Sequence, residues 1–152
     1  MKSILTTTLL ALLGLTTAMA AEPAVGTWKL NIAKSKLTTV PKSAVTTITQ
    51  DGNSRTLETH TVAADGKETH NKATSVLDGK EHPYTGTTGG YDTYIGRMAS
   101  SHESVFEYKK AGKVVRTVRS NYSKDGKSRT ATADGVDDKG KTFHTVSVYD
   151  RQ

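Results

Sequence analysis

From residue 26 onward, hydrophobic and polar side chains alternate in short runs separated by glycine-centred turns. In Gly26-Thr27-Trp28-Lys29-Leu30-Asn31-Ile32, Trp28, Leu30 and Ile32 fall on one face and Thr27, Lys29 and Asn31 on the other. This period of two marks a half-buried strand. The same pattern predicts further strands over 44–50, 55–63, 68–77, 81–84, 91–98, 104–110, 114–123, 128–135 and 142–151. Pro83 makes 81–84 an edge or broken strand. Residues 33–42 read as a loop or a single helical turn, since Pro41 argues against a longer helix.

The punctuation sets the topology. Turns centre on Asp51-Gly52-Asn53, Asp65-Gly66-Lys67, Asp78-Gly79-Lys80, Ala111-Gly112-Lys113, Asp125-Gly126-Lys127 and Lys139-Gly140-Lys141. Glycine takes positive φ without steric cost and Asp tolerates it, so such turns join antiparallel neighbours. Repeated along a chain they produce a meander. The expected fold is all-β: a single antiparallel up-and-down barrel of about 8–10 strands with little helix.

Composition favours a barrel over a sandwich. Only 34% of residues are hydrophobic, and threonine stands where aliphatics fill the dry core of a sandwich. A barrel around a partly polar cavity needs fewer of them. A membrane-spanning barrel is not expected, because Glu58, His60, Lys72, Arg116 and Arg119 interrupt the faces that lipid would touch.

The first twenty residues read as a cleaved signal peptide. Lys2 is followed by an apolar run from Ile4 to Leu15 and by Ala18-Met19-Ala20, a small-x-small cleavage pattern. The apolar run falls short of the roughly 20 residues of a membrane span. The expectation is an exported, periplasmic or extracellular protein with no transmembrane segment after cleavage and one domain over 21–152. Export and the absence of cysteine mean that no disulfide holds it. Loss of Lys2 lowers the formal charge from +6 to +5. The lysines are spread over the turns and aromatics make up 6% of the chain, which does not form a nucleic-acid platform.

Gly26-Thr27-Trp28-Lys29-Leu30 resembles the first strand of the calycin superfamily, where lipocalins carry Gly-x-Trp and intracellular fatty-acid-binding proteins a similar Gly-Thr-Trp-Lys-Leu. Val148-Tyr149-Asp150-Arg151 resembles the last strand of the fatty-acid-binding proteins. With Ala33-Lys34-Ser35-Lys36 and the Asp-Gly-Lys turns, the whole is most similar to small secreted bacterial lipocalin-like proteins. The resemblance implies that Arg151 packs over Trp28 and closes the barrel floor. Two departures separate the chain from fatty-acid-binding proteins. Ser147 stands where they place a carboxylate-holding Arg, and residues 33–43 are too few for their helical lid.

Which face of the last strand points inward stays open. Apolarity directs Val146 and Val148 inward with His144, whereas the resemblance directs Ser147 and Tyr149 inward. A one-residue shift exchanges the faces, and a face shared with Arg151 favours Tyr149.

Candidate chemistry is sparse. His60 and His70 pair directly only if the turn at Asp65-Gly66 is a three-residue loop with a bulge, and no third ligand is spaced to complete a zinc site. No metal or cofactor is expected. The chain contains no Gly-x-Ser-x-Gly, no His-Glu-x-x-His and no phosphate loop, so an enzyme is not expected. Phe106 and Tyr108 share a face, as do Arg116, Val118 and Tyr122. Tyrosines in a barrel offer apolar rings with polar tips. The expected site is an interior lined by Tyr108, Tyr122, Tyr149, Phe106 and Arg116 above Trp28, in a monomer holding a small hydrophobic or amphipathic molecule. An envelope protein acting through its basic exterior on a protein or anionic polymer is the alternative, and an enzyme of unrecognised type the third.

Overall fold

A computed structural model describes residues 22–152; the leader expected over residues 1–20 lies outside them. Ten strands follow in order: β1 Gly26–Leu30, β2 Ser43–Asp51, β3 Ser54–Val62, β4 Glu68–Val76, β5 Glu81–Pro83, β6 Thr93–Ser100, β7 Glu103–Lys110, β8 Lys113–Tyr122, β9 Ser128–Val136 and β10 Thr142–Arg151. A 3-10 turn, Ile32–Lys34, is the helical element among the described residues. The Asn31 side chain caps it by accepting the Lys34 N–H at 3.2 Å. No helix among the described residues is long and apolar enough to cross a membrane.

The turns work as their composition predicts. In four of them an Asp carboxylate accepts the N–H two residues on: Asp65 from Lys67, Asp78 from Lys80, Asp125 from Lys127 and Asp137 from Lys139, at 2.9–3.0 Å. The carboxylate imitates a backbone turn and pre-sets the reversal. β3 and β4 close through Ala63 N–H to Lys67 O and Gly66 N–H to Ala63 O, both within 2.9 Å, and this longer register pairs His60 directly with His70. At the β6–β7 turn the strands run further than expected. A bulge between Met98 and Ser100 carries β6 on, leaving only Ser101 and His102 as the connection.

The strands form one antiparallel sheet in the order β4-β3-β2-β1-β10-β9-β8-β7-β6-β5. First and last strands meet, with Trp28 opposite Arg151 and Leu30 opposite Tyr149, so the sheet curls into a nearly closed barrel. Closure stops between β4 and β6, where no ladder forms and isolated hydrogen bonds span the gap. Val76 N–H donates to the Tyr94 hydroxyl at 2.7 Å, and Gly79 N–H donates to Gly96 O at 2.9 Å. Gly96 is required here, because a Cβ would lie 2.7 Å from the Phe106 ring and 3.0 Å from Val76 O.

Two apolar clusters hold the interior. At the floor, Trp28 and Ile48 are buried with Ala24 and Tyr122, and Leu57 and Tyr149 pack against them. Beside the gap, Leu77, Tyr94 and Phe106 are buried, with Tyr84, Met98, Tyr108 and Val118 around them. Each large side chain removed from water contributes about 1.5–3 kcal/mol.

Candidate functional site

The floor is built first. Trp28 is fully buried, and its indole N–H donates to Ala24 O at 2.9 Å, drawing the lead-in segment beneath the barrel. The Arg151 guanidinium lies 4.3 Å from the Trp28 ring centroid. It donates to Val25 O at 2.6 Å, to Pro23 O at 2.7 Å and to Gly126 O. One cation thus ties the N-terminal segment, the β8–β9 turn and the last strand together, in a cation–π contact.

Above the floor the interior face is read from strand parity. β3 contributes Arg55, Leu57 and Thr59, β4 Asn71, Ala73 and Ser75, and β7 Ser104, Phe106 and Tyr108. From β8 come Arg116, Val118, Ser120 and Tyr122, from β9 Arg129, Ala131 and Ala133, and from β10 Thr145, Ser147 and Tyr149. Tyr149 therefore faces inward and Val146 and Val148 outward. Beyond the end of β1, residues 31–36 continue along the same edge of β10, where the backbones of Lys36 and Val146 exchange hydrogen bonds of 2.7 and 2.9 Å.

Two cavities with shared walls follow. The upper one, of about 330 Å³, is bounded by Leu57, Ala73, Tyr84, Tyr91, Tyr108, Arg116, Val118, Arg129 and Tyr149, among others. The deeper one, of about 60 Å³, lies between Arg55, Ser75, Ser104, Phe106, Ser120, Tyr122 and Arg129. They share Leu57, Ala73, Tyr108, Val118 and Arg129. Tyr84, Tyr91 and Tyr108 cluster at the upper end with ring centroids 4.7–5.7 Å apart, Tyr84 meeting the other two edge-on. Tyr84 and Tyr91 both belong to the β5–β6 connection, which hydrogen-bonds to β4 through Thr87 and Lys72.

The electrostatics are lopsided. Arg55 is 0% exposed and Arg129 6%, and none of the carboxylates lines either cavity. None of the ion pairs among the described residues involves Arg55, Arg116, Arg129 or Arg151. Arg55 donates through Nε to Gln50 at 2.8 Å and through Nη2 to the Met98 sulfur at 3.5 Å. Arg129 donates to Ser120 Oγ at 3.4 Å and lies 4.8 Å from the Tyr149 ring centroid. Arg55 Nη1, Arg129 Nε and Nη1, Arg116 Nε and Ser104 Oγ are buried without a partner. Burial lowers the proton affinity of Arg55, and the neighbouring charge of Arg129 adds to this while Tyr122 and Glu22 oppose it. Burial also raises the Tyr108 pKa above the ordinary phenol value, so that hydroxyl stays protonated and can donate.

The structure thus gathers the sequence-predicted residues on one interior, though at different depths. Tyr108, Arg116 and Tyr149 line the upper cavity, whereas Phe106 and Tyr122 line the deep one. Tyr122 packs on Trp28, with centroids 5.8 Å apart, and belongs equally to the floor. Trp28 and Arg151 make the floor contact itself. Arg55, Arg129, Ser104 and Ser120 escaped the sequence reading. Their signal is parity: Arg129 shares a face with Ala131 and Ala133, small residues that leave room for a long inward side chain. His60 and His70 lie outside the barrel, where His60 Nε2 is 3.0 Å from Glu68 and His70 Nε2 is 4.0 Å from Glu58.

No protein-family model matches this chain, and no curated protein matches it. Solved structures do. Zebrafish ileal bile acid-binding protein complexed with cholic acid aligns over 86% of this chain and 99% of its own, with a TM-score of 0.55 and 16% identity. The barrel is a lipocalin and fatty-acid-binding protein fold. A siderocalin, Ex-FABP, aligns over 86% of this chain and 71% of its own with a TM-score of 0.49 and 14% identity. At 16% identity the likeness to the bile acid-binding protein shows the fold alone and leaves the ligand to be argued from this chain's own side chains.

Proposed function

We propose that this protein is an exported, monomeric carrier that encloses a small amphipathic anion in its barrel. The observation that carries the reading is the pair of buried guanidiniums, Arg55 and Arg129, with N–H groups left unpartnered and no carboxylate on the walls. A buried cation without a counter-ion costs several kcal/mol, and a bound anion removes that cost. The walls above, with Leu57, Ala73, Val118, Ala131 and the tyrosines, suit an apolar body. Binding proceeds by enclosure, and no group in the cavity is arranged as nucleophile and base.

Displacement of an anionic amphipathic dye by alkyl anions and by the matching alcohols tests this. Anions are expected to displace it saturably and alcohols far more weakly, and Arg129→Gln is expected to reduce the difference. Equal binding of ions and alcohols removes the anion from the proposal. No saturable binding inside the barrel, together with salt-sensitive binding to anionic polymers that Arg129→Gln leaves unchanged, transfers the function to the basic exterior.

A further inference from the structure

Resting on that carrier reading, we infer that the deep subsite between Arg55, Ser104 and Arg129 is built for a dianionic phosphomonoester head group rather than for a carboxylate. The first argument is charge. Two guanidiniums border this cavity and no acidic residue does. A carboxylate supplies one negative charge and leaves one buried cation uncompensated, which is costly in a low-dielectric interior. A phosphomonoester carries a charge of about −1.5 to −2 at neutral pH and balances the pair.

The second argument is donor number. The unpartnered atoms are Arg55 Nη1, Arg129 Nε, Arg129 Nη1 and Ser104 Oγ. Each Nη1 carries two protons, and Nε and the hydroxyl one apiece. A carboxylate presents about four lone-pair sites on two oxygens, fewer than the protons offered. Three phosphoryl oxygens accept them all, with guanidinium forks suited to that geometry. Ser104 is 1% exposed, so its unmatched hydroxyl has no bulk water to turn to. In a site meant for an apolar wall that unmade hydrogen bond would go uncompensated.

The third argument is depth. The subsite lies between Tyr122 at the floor and the wider cavity above, which it meets along Leu57, Ala73 and Val118. The head group therefore sits innermost and the apolar body points toward the tyrosines at the mouth.

Isothermal titration calorimetry of the protein with octyl phosphate, nonanoate and octanol decides the matter, at about pH 7.5 where the phosphomonoester is mostly dianionic. Octyl phosphate is expected to bind about tenfold more tightly than nonanoate, with octanol weakest. Ser104→Ala removes one donor with little change in volume, and is expected to weaken octyl phosphate several-fold more than nonanoate. Nonanoate binding as tightly as octyl phosphate, with both ahead of octanol, overturns the phosphate assignment and leaves the carrier reading standing. A phosphate preference that survives Ser104→Ala undiminished also overturns the assignment to this subsite. Octanol binding as tightly as either ion removes the anion from the carrier reading, and no saturable heat from any of the three defeats that reading itself.

Discussion

The Arg151 guanidinium rests 4.3 Å from the centroid of Trp28, the residue directly opposite it in the β1–β10 pair. Gly26 makes the arrangement possible. Its φ is +141°, and a Cβ there would run into Arg151 Nη1.

Arg151→Ala is therefore expected to cost about 2–4 kcal/mol, from the cation–π contact and the charged hydrogen bonds to backbone carbonyls. Gly26→Ala is also expected to destabilise, but less in the Arg151→Ala background, because the clash disappears with the arginine. Chemical denaturation followed by Trp28 fluorescence, run as a double-mutant cycle, reads this coupling. Additive effects would mean that Gly26 serves only its own backbone angle.

At the gap between β4 and β6 a side chain replaces the missing ladder, since Val76 N–H donates to Tyr94 Oη at 2.7 Å. Tyr94→Phe keeps the ring and removes the acceptor. The expected loss is about 1 kcal/mol, with faster hydrogen exchange at Val76 and little change in β8–β9. Unchanged exchange at Val76 would show that another group satisfies that amide.

Ala111 takes a left-handed φ of 49° beside Gly112 at 74°, the geometry of a two-residue type I′ hairpin that favours Asn-Gly. Ala111→Asn is expected to stabilise by about 0.5–1 kcal/mol, seen as a higher thermal midpoint. A lower midpoint would mean that the turn leaves this conformation in solution.

The acid and alkaline limits follow from opposite shifts. Hydrogen bonds hold four surface carboxyls below their ordinary pKa: Glu58 from Lys72, Asp78 from His82, Glu81 from Lys109 and Asp125 from Ser123. A carboxyl lowered on folding contributes stability above its unfolded pKa of about 4 and loses it as pH falls through the folded value. The thermal midpoint is expected to drop below about pH 4, less steeply in Asp125→Asn. Tyr108 is shifted the other way, upward by burial. Its contribution is complete below the unfolded phenol pKa of about 10 and is lost as pH rises beyond it. Absorbance titration of the native protein is expected to leave Tyr108 un-ionised until the barrel opens, whereas full ionisation without unfolding would contradict the burial of Tyr108.

The barrel was legible because its cues are local. Alternation around Trp28, the Asp-Gly turns and Pro83 placed the strands, and the meander then forces the two ends together. The inward face of β10 was legible only through Arg151, which favours Tyr149 inward; Val146 and Val148 are apolar yet face outward, so apolarity by itself indicates the wrong side. The site was legible in its tyrosines and illegible in its arginines. A lone Arg55 or Arg129 reads as surface charge, and only the register around the whole barrel turns both inward toward one cavity.

The Nε–H signal of Arg129 tests the central claim most directly, since that group is buried without a partner in the free protein. In a proton–nitrogen correlation spectrum it is expected to shift downfield and saturate at one equivalent of an alkyl anion, while the matching alcohol leaves it in place. If saturating anion moves only surface lysine and backbone-turn signals and the Arg129 resonance stays where it was, the guanidiniums inside the barrel do not receive the ligand.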